Sequence, residues 1–314
     1  MDATLRQAAS SAAIGRHGGS AAGFYRGTGS LILGGRESHP LLLEAAAEAL
    51  AFLVHQQAAA GRGFATGDLY WTNDPRCNAA GLEDLVLASP VVRDGRAVCF
   101  VAVAATRTAL GRASLAPVER LRREGLILPW TRVGRDGAVQ PEILDLLAAN
   151  AEAPAEFLED LRAQIHSLRL GHAVMEALVD RQGPEALALV CETLGAGSRR
   201  ALQGILGKLE KGCAEGRVAP FTGRIKAEGD EVSVVVTAEE SASRPHLTPA
   251  LARASVRAAL REVLTAEIPA MSVLGGLFDA VRGEAAWDSF APDAPMGAAR
   301  FAGAQAVAEA VLAA

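Results

Sequence analysis

The chain has little cysteine and no long apolar run. Its 314 residues include four cysteines, which are widely spaced and form no CxxC pair: Cys77, Cys99, Cys191 and Cys213. With no signal peptide at the N-terminus, this usage predicts reduced thiols and a cytoplasmic location. No apolar run reaches the length of a membrane span, which argues against a membrane protein.

An excess of positive charge is also missing. The formal net charge is -5 at pH 7 and the pI is about 5.8, and the basic residues are spread along the chain, so the composition argues against nucleic-acid binding. The segment Gly15 to Gly19 is too irregular for a phosphate loop, because no Gly-Lys-Ser/Thr follows it and no strand precedes it. The chain therefore has no ATP-binding motif of its own. Its length and 50% hydrophobic content predict a sizeable core in one or two domains.

The most informative stretch runs from Gly67 to Pro75, with the sequence GDLYWTNDP. It predicts a turn, a short strand rich in aromatic and β-branched residues, and a polar bend at Asn73 and Asp74. A loop then brings Glu83 and Asp84 to the start of a second strand. Carboxylates at such a junction can face a cleft that handles metals or substrates. The alternative is ordinary turn punctuation beside a solvated strand edge.

The rest of the pattern predicts a mixed α+β fold, with a central sheet built from hairpins, long middle helices and a smaller C-terminal hairpin-and-helix part. Apolar and β-branched runs predict strands at 30–33, 69–72, 85–92 and 97–105. The last two form a hairpin around Asp94-Gly95, and the second of them is expected to be central and buried. Apolar residues at helical spacing predict helices at 40–60, 141–149, 155–181 and 184–212, with an interruption at Gly195 and Gly197.

Four further expectations complete this outline. Residues 1–28 look weakly ordered or loosely docked, and 114–124 look like a short helical or looping segment. The C-terminal part is expected to hold a hairpin at 223–237, a helix at 247–264 and a last short helix. The predicted regions are 1–140, 141–218 and 219–314.

The order of the motifs resembles the hydantoinase B/oxoprolinase family. The signature GDLYWTNDP is followed by DLVLASPVVRDG at Asp84 to Gly95 and then by a small-residue strand. EGLILP at Glu124 to Pro129 and DLRAQI at Asp160 to Ile165 are similar to further family motifs. The resemblance covers most of the chain from about Gly29, with the last third matching only in outline.

The departures from the family pattern lie at its histidines. The positions where the family has histidine are occupied here by Gly81, Thr106 and Leu42, while the aspartate survives as Asp84. A site that holds a divalent metal in relatives therefore keeps a carboxylate and loses its nitrogens, so we expect no metal here. The family's histidine pair corresponds to Thr106 and Arg107 here, and an Arg107 at the old ligand position would place a fixed cation beside Asp84, suited to bicarbonate, a carboxylate or a phosphate ester.

The resemblance implies an accessory or catalytic subunit of a multisubunit ATP-dependent ketone carboxylase of the acetophenone carboxylase type. Its partners would be larger A-type ATPase and B-type subunits, which would use ATP, with or without magnesium, while this chain binds no cofactor tightly. The substrates would be an aromatic ketone, handled as its enol phosphate, and bicarbonate. In that role Arg107 would orient carboxyl or phosphate oxygens, Asp74 or Asp84 would act as a base or hold magnesium, and Asn73 would donate to an oxyanion.

Two alternatives belong to other classes. The loss of the histidines fits equally a non-catalytic scaffold of a hydantoinase- or oxoprolinase-type amidohydrolase complex. A basic, partly buried cleft between Thr72 and Arg107 would distinguish the catalytic subunit from the scaffold. A self-contained hydrolase has no Ser-His-Asp or Cys-His constellation to support it, and Cys77 is either a nucleophile or, as we expect, a small loop residue.

Overall fold

A computed structural model of the chain describes residues 1–107, 110, 125–135, 138–206, 213–219, 221–228, 231–238, 247–269, 274–275, 281–285 and 297–313. The fold is mixed α+β, as predicted, with two sheets and helices on both faces of the larger one. The segment 114–124 lies outside the described residues.

The larger sheet is antiparallel throughout and has the order β2-β1-β5-β4-β3-β6-β7. Its strands are β1 (Ser20–Arg26), β2 (Leu31–Gly34), β3 (Leu69–Thr72), β4 (Asp84–Arg93), β5 (Arg96–Thr106), β6 (Thr131–Arg135) and β7 (Ala138–Val139). The predicted β4–β5 hairpin is confirmed. Asp94 and Gly95 both have positive φ, 52° and 73°, which the tight hairpin turn requires. β5 lies between β1 and β4 and is buried over most of its length, as expected.

The helices are α1 (Asp2–Ala8), α2 (Ala12–Gly15), α3 (Pro40–Ala59), α4 (Pro141–Asn150), α5 (Pro154–Gln182), α6 (Pro184–Leu206), α7 (Pro249–Glu267) and α8 (Gly297–Leu312). Proline occupies the first turn of α3, α4, α5 and α7, where its missing N–H costs nothing. Helix α3 covers one face of the larger sheet and α5 covers the other. Within the described residues no helix combines the length and apolarity that crossing a membrane needs.

The smaller sheet has the order β11-β10-β9-β8. Its strands are β8 (Cys213–Val218), β9 (Phe221–Glu228), β10 (Glu231–Ala238) and β11 (Val281–Ala285). The β9–β10 hairpin and helix α7 confirm the predicted C-terminal elements, whereas β8 and β11 were not predicted. Phe221, Ile225 and Val234 of this sheet share one core cluster with α3 and α7. The predicted regions 1–140, 141–218 and 219–314 stay a prediction.

Two sequence-based expectations are wrong. Residues 1–28 are not loosely docked, because β1 pairs with both β2 and β5 and buries Ala21 and Ala22 to 1% exposure. Small side chains there allow α3 and α5 to approach the sheet closely. Helix α6 also runs without a break through Gly195 and Gly197. A glycine inside a helix costs about 1 kcal/mol relative to alanine, which packing can offset.

Candidate functional site

The Asn73 side chain connects its own segment to two others by hydrogen bonds, the loop at Leu82 and the segment from Leu126 to Leu128. Its Nδ2 donates to the carbonyl oxygens of Leu82 and Leu126, at 2.9 and 3.0 Å, and its Oδ1 accepts from the N–H of Leu128 at 2.7 Å. The side chain is fully buried. Both amide hydrogens are therefore engaged, and in this arrangement Asn73 has no N–H left to donate to an oxyanion.

Asp74 is neutralised locally by Arg76. Its carboxylate accepts from Arg76 Nε at 2.9 Å and from Arg76 Nη2 at 2.8 Å. It also accepts from the Arg76 backbone N–H, which caps a short 3-10 turn over Pro75–Cys77. Asp74 is 2% exposed. Both carboxylate oxygens are therefore engaged by Arg76, and the signature aspartate is held by a charge-assisted contact within its own turn.

Cys77 lies in the same turn and is buried. Burial raises the pKa of its thiol, and the thiolate that a nucleophile needs is therefore disfavoured. This agrees with Cys77 as a small loop residue.

Asp84 forms the centre of the polar group at the end of the sheet. It is fully buried at the start of β4 and pairs in register with Thr106 at the end of β5. The Thr106 hydroxyl donates to Asp84 Oδ1 at 2.6 Å. The backbone N–H of Asp84 donates to the carbonyl oxygen of Gly81, so two positions that carry histidine in the family pattern adjoin the aspartate.

His39, just ahead of Pro40, also belongs to this group; from the sequence it is either a residue that caps α3 or lines the cleft, or a surface histidine. Its backbone N–H donates to Ser20 O at 2.8 Å, which sets the start of α3 beside the strand ends. Packing around the imidazole lowers the pKa of His39, while the charges of Asp84 and Glu262 raise it. The residue as a whole remains exposed. The His39 imidazole thus lies within electrostatic reach of Asp84, although His39 is not one of the positions where the family pattern has histidine.

Arg107 lies on the opposite face of the sheet from Asp84, which corrects the expectation of a fixed cation beside Asp84. Side chains alternate along β5, so Phe100, Ala102 and Ala104 pack towards α3, whereas Cys99, Val101, Val103 and Ala105 pack towards α5. By the same alternation the Thr106 side chain lies on the α3 side of the sheet, and Arg107, which follows it, lies on the α5 side. Among the residues that the structure describes, Arg107 and the side chains of Thr72 and Asp84 therefore lie on opposite faces of the sheet, so the basic cleft that would distinguish a catalytic subunit from a scaffold gains no support from their placement.

Arg107 is buried under α5 with few partners. It is 5% exposed, and its guanidinium stacks on the ring of Phe157, 5.1 Å from the centroid. Its Nη1 donates to Phe157 O over 3.4 Å, while Nε and Nη2 have no hydrogen-bond partner among the described residues. Burial lowers the pKa of Arg107 to about 9, and the carboxylate of Asp160 opposes that shift. Arg107 is thus placed to brace α5 rather than to meet a ligand at Asp84.

A second charged group links α3 to α7 behind the signature turn. Glu44 pairs with Arg261, and Glu48 accepts from Arg253 at 2.6 Å and from Arg257 at 2.7 Å. Asn78 Nδ2 also donates to the backbone oxygen of Glu48. Sequence reasoning missed this cluster, although Glu44 and Glu48 interrupt an otherwise apolar helix face at a spacing of four residues.

The metal site expected of relatives does not fit these residues. Gly81 and Leu42 offer no ligand atoms, and Thr106 already donates its hydroxyl to Asp84. Among the residues that the structure describes, no three His, Cys, Asp or Glu side chains form a ligand set.

The sequence and the fold of this chain are similar to those of known proteins. The sequence is 24% identical over 191 residues to caprolactamase subunit beta of Pseudomonas jessenii, covering 56% of this chain and 33% of that one. The fold matches the crystal structure of ATP-dependent caprolactamase from Pseudomonas jessenii with a TM-score of 0.79 at 19% identity, over 99% of this chain and 56% of that chain. It matches nucleotide-free acetone carboxylase with a TM-score of 0.73 at 14% identity, over 89% of this chain and 40% of that chain.

The two structural matches are below 25% identity and show the fold alone. The chain spans between about a third and just over half of the length of these relatives. The family assignment rests on the whole sequence, because the pattern of the family described as hydantoinase B/oxoprolinase matches residues 1–314. The chain belongs to the hydantoinase B/oxoprolinase family.

Proposed function

We propose that this chain is an accessory, non-ATPase subunit of an ATP-dependent complex that acts on a carbonyl substrate activated by phosphorylation. It would work in the cytoplasm with a larger A-type ATPase subunit and a B-type subunit, which would use ATP and any magnesium. The observation that carries the accessory role is the engagement of Asn73, whose amide holds three backbone segments together. The signature segment thus supports the fold here.

The group at the end of the sheet is the part of the chain best suited to contact a substrate or a partner's active site. Asp84 is oriented by the Thr106 hydroxyl, and His39 lies near it at the exposed start of α3. A neutral imidazole held near a carboxylate can accept or pass a proton. In the complex, His39 would exchange that proton with the carbonyl intermediate while Asp84 stabilises the imidazolium.

Two reactions are proposed for the complex. The first is carboxylation of an aromatic ketone with bicarbonate, of the acetophenone carboxylase type, and the acetone carboxylase fold match supports it. The second is ATP-dependent opening of a cyclic amide, which the similarity to caprolactamase subunit beta and to the caprolactamase structure supports. The alternative is that this chain is a scaffold, which would be needed for assembly of the complex but would take no part in the reaction.

The test begins with affinity purification of the tagged chain from its native host and identification of the larger subunits that accompany it. The complex is then assayed with and without this chain for ATP- and bicarbonate-dependent loss of acetophenone and for ATP-dependent opening of caprolactam. We expect turnover of one substrate to need the chain. If no larger subunit accompanies it, or if turnover of both substrates is unchanged without it, the proposal is wrong.

Asp84→Asn and His39→Gln then separate a chemical role from a scaffold. The amide oxygen that Asp84→Asn introduces would still accept the Thr106 hydrogen bond, so the fold should hold while the negative charge is lost. If the group takes part in proton transfer, each variant lowers turnover at least tenfold while the complex still assembles. Glu83→Gln, at the exposed neighbouring position, is the matched control. Full turnover in both variants of a complex that needs the chain would assign it the scaffold role.

A further inference from the structure

Helix α5 exposes an apolar stripe on the side that faces away from the larger sheet. Leu170 is 43% exposed and Val174 is 61% exposed, and Ala173 and Ala177 are exposed beside them. These positions have the spacing i, i+3, i+4 and i+7, so their side chains share one face of the helix. The opposite face of α5 buries its apolar side chains against the sheet. The stripe is therefore a second apolar face of α5, and covering it would remove further apolar surface from water.

The charges along one flank of the stripe are sorted by sign. Arg162, Arg169 and Glu176 follow one another at intervals of seven residues, which places them on the same side of the helix. Asp180, one turn beyond Glu176, adds a second carboxylate. Both arginines occupy exposed positions, and the Glu176 side chain is 38% exposed, with a contact of 3.8 Å to His172 of its own helix. This flank is thus positive towards the N-terminus of α5 and negative towards its C-terminus.

A second copy of α5, packed antiparallel on the stripe, matches this order of charges. A two-fold axis that reverses the helix direction brings the same flank of both helices together, with the first half of one opposite the second half of the other. Arg169 of each copy then meets Glu176 of the other. The midpoint of this pair falls between His172 and Ala173, and the midpoint of the stripe falls one residue later, between Ala173 and Val174. One register therefore buries the stripe and pairs the charges, whereas a parallel arrangement sets this flank against the other one.

We propose that the face of α5 from Leu170 to Ala177 binds a second copy of this chain, as an antiparallel and two-fold symmetric helix pair. The apolar stripe supplies most of the attraction, because exposed ion pairs contribute little, and the contacts between Arg169 and Glu176 set the direction of the two helices. One face of one helix is a small contact area, so the dimer is a reversible one. The inference goes beyond the proposed function, because it uses none of the residues around Asp84.

Sedimentation equilibrium of the full chain over about 1–100 μM, a range that suits a small interface, tests the proposal. We expect the average mass to rise from that of the monomer towards that of the dimer. Val174→Asp places a charge within the stripe and should weaken association at least tenfold, while circular dichroism shows an unchanged fold because Val174 is exposed. Leu146→Asp is the matched control, since Leu146 is 57% exposed but lies on α4, and it should associate like the parent.

Two outcomes of this experiment would overturn the proposal. The parent chain could stay monomeric over the whole range, which is the result expected if a larger subunit covers the stripe in the complex. Alternatively, Val174→Asp could associate as tightly as the parent, which would place the contact between copies elsewhere on the chain.

Exchanging the charges tests the direction of the helices. Arg169→Glu and Glu176→Arg each place like charges opposite each other, and each should weaken association about fivefold at low salt. The double variant Arg169→Glu/Glu176→Arg restores opposite charges across the two-fold axis and should associate like the parent. A non-specific apolar contact would not show this recovery. A double variant that associates no better than the single variants would refute the antiparallel register.

Discussion

Charges are buried in two contrasting ways on the two faces of the larger sheet. On the α3 face, Arg261 is 2% exposed and pairs with Glu44, which is 1% exposed. On the α5 face, Arg107 is 5% exposed but has one long hydrogen bond and an aromatic ring, and two of its nitrogens have no hydrogen-bond partner in the part of the chain that the structure describes. Burial alone therefore does not show how much a charged side chain contributes to stability. Removing one member of a close ion pair leaves the other charge buried without its partner, whereas removing a charge that has no close ion pair does not.

The largest effect is expected at the paired site. Arg261→Met leaves Glu44 buried without its guanidinium, and we expect the free energy of unfolding to fall by about 3–5 kcal/mol. Urea denaturation followed by circular dichroism measures the loss. The double variant Arg261→Met/Glu44→Leu removes both charges and should recover most of it. A double variant no more stable than the single one would show that the ion pair is not the cause.

Asn73→Ala should give the next largest loss of stability. It leaves two carbonyl oxygens and one N–H without their side-chain partner in a buried place, and each such group costs about 1–3 kcal/mol. If water reaches part of the site in the variant, the free energy of unfolding should fall by about 3 kcal/mol. Asn78→Gly is the control in the same loop, because Asn78 has φ of 65°, a conformation that glycine adopts readily. Equal losses in the two variants would contradict the role of Asn73 in connecting the three backbone segments.

Arg107→Met makes the same chemical change as Arg261→Met at a site of similar burial. We expect a change within about 1 kcal/mol, or a gain, because methionine keeps the contact with Phe157 and removes a buried guanidinium that has one long hydrogen bond and no ion pair as close as that of Arg261 with Glu44. Denaturation under the same conditions as for Arg261→Met makes the comparison direct. A loss of about 3 kcal/mol or more would mean that the contacts of Arg107 with Phe157 and Asp160 stabilise the fold as strongly as the Glu44 pair does.

Local turn chemistry and side-chain alternation could predict much of this picture. Asp94-Gly95 fixes the β4–β5 hairpin because few residue pairs adopt positive φ together. The alternation also predicts the placement of Arg107. Thr106 ends β5 and Arg107 follows it directly, so a residue at position 106 that pairs with Asp84 directs Arg107 to the other face. The sequence analysis placed a cation beside Asp84 because it did not apply this rule.

Other features carried no local signal. Glu44 and Arg261 are 217 residues apart, and only the packing of α3 on α7 brings them together. Strand β8 has the sequence CAEGRV, which lacks strand periodicity, and it forms because β9 offers a partner edge. The placement of His39 beside the strand ends depends on β1, a strand that was not predicted, because the His39 backbone N–H donates to Ser20 O.

The smallest expected effect concerns pH and the exposed end of the α3 face. Packing lowers the pKa of His39 below its ordinary value, so the unfolded chain binds a proton more readily than the folded one in the pH range just below 6.5. Stability that depends on His39 is therefore lost as the pH falls through that range and is complete above it. His39→Gln should remove this contribution, so the difference in unfolding free energy between variant and parent should shift in favour of the variant between pH 7 and pH 5.

His55→Gln, at an exposed position of the same helix, is the control. A pH-independent difference for His39→Gln would mean that attraction to Asp84 and Glu262 balances the desolvation of the ring, and that the imidazole is as free to take a proton as one in water.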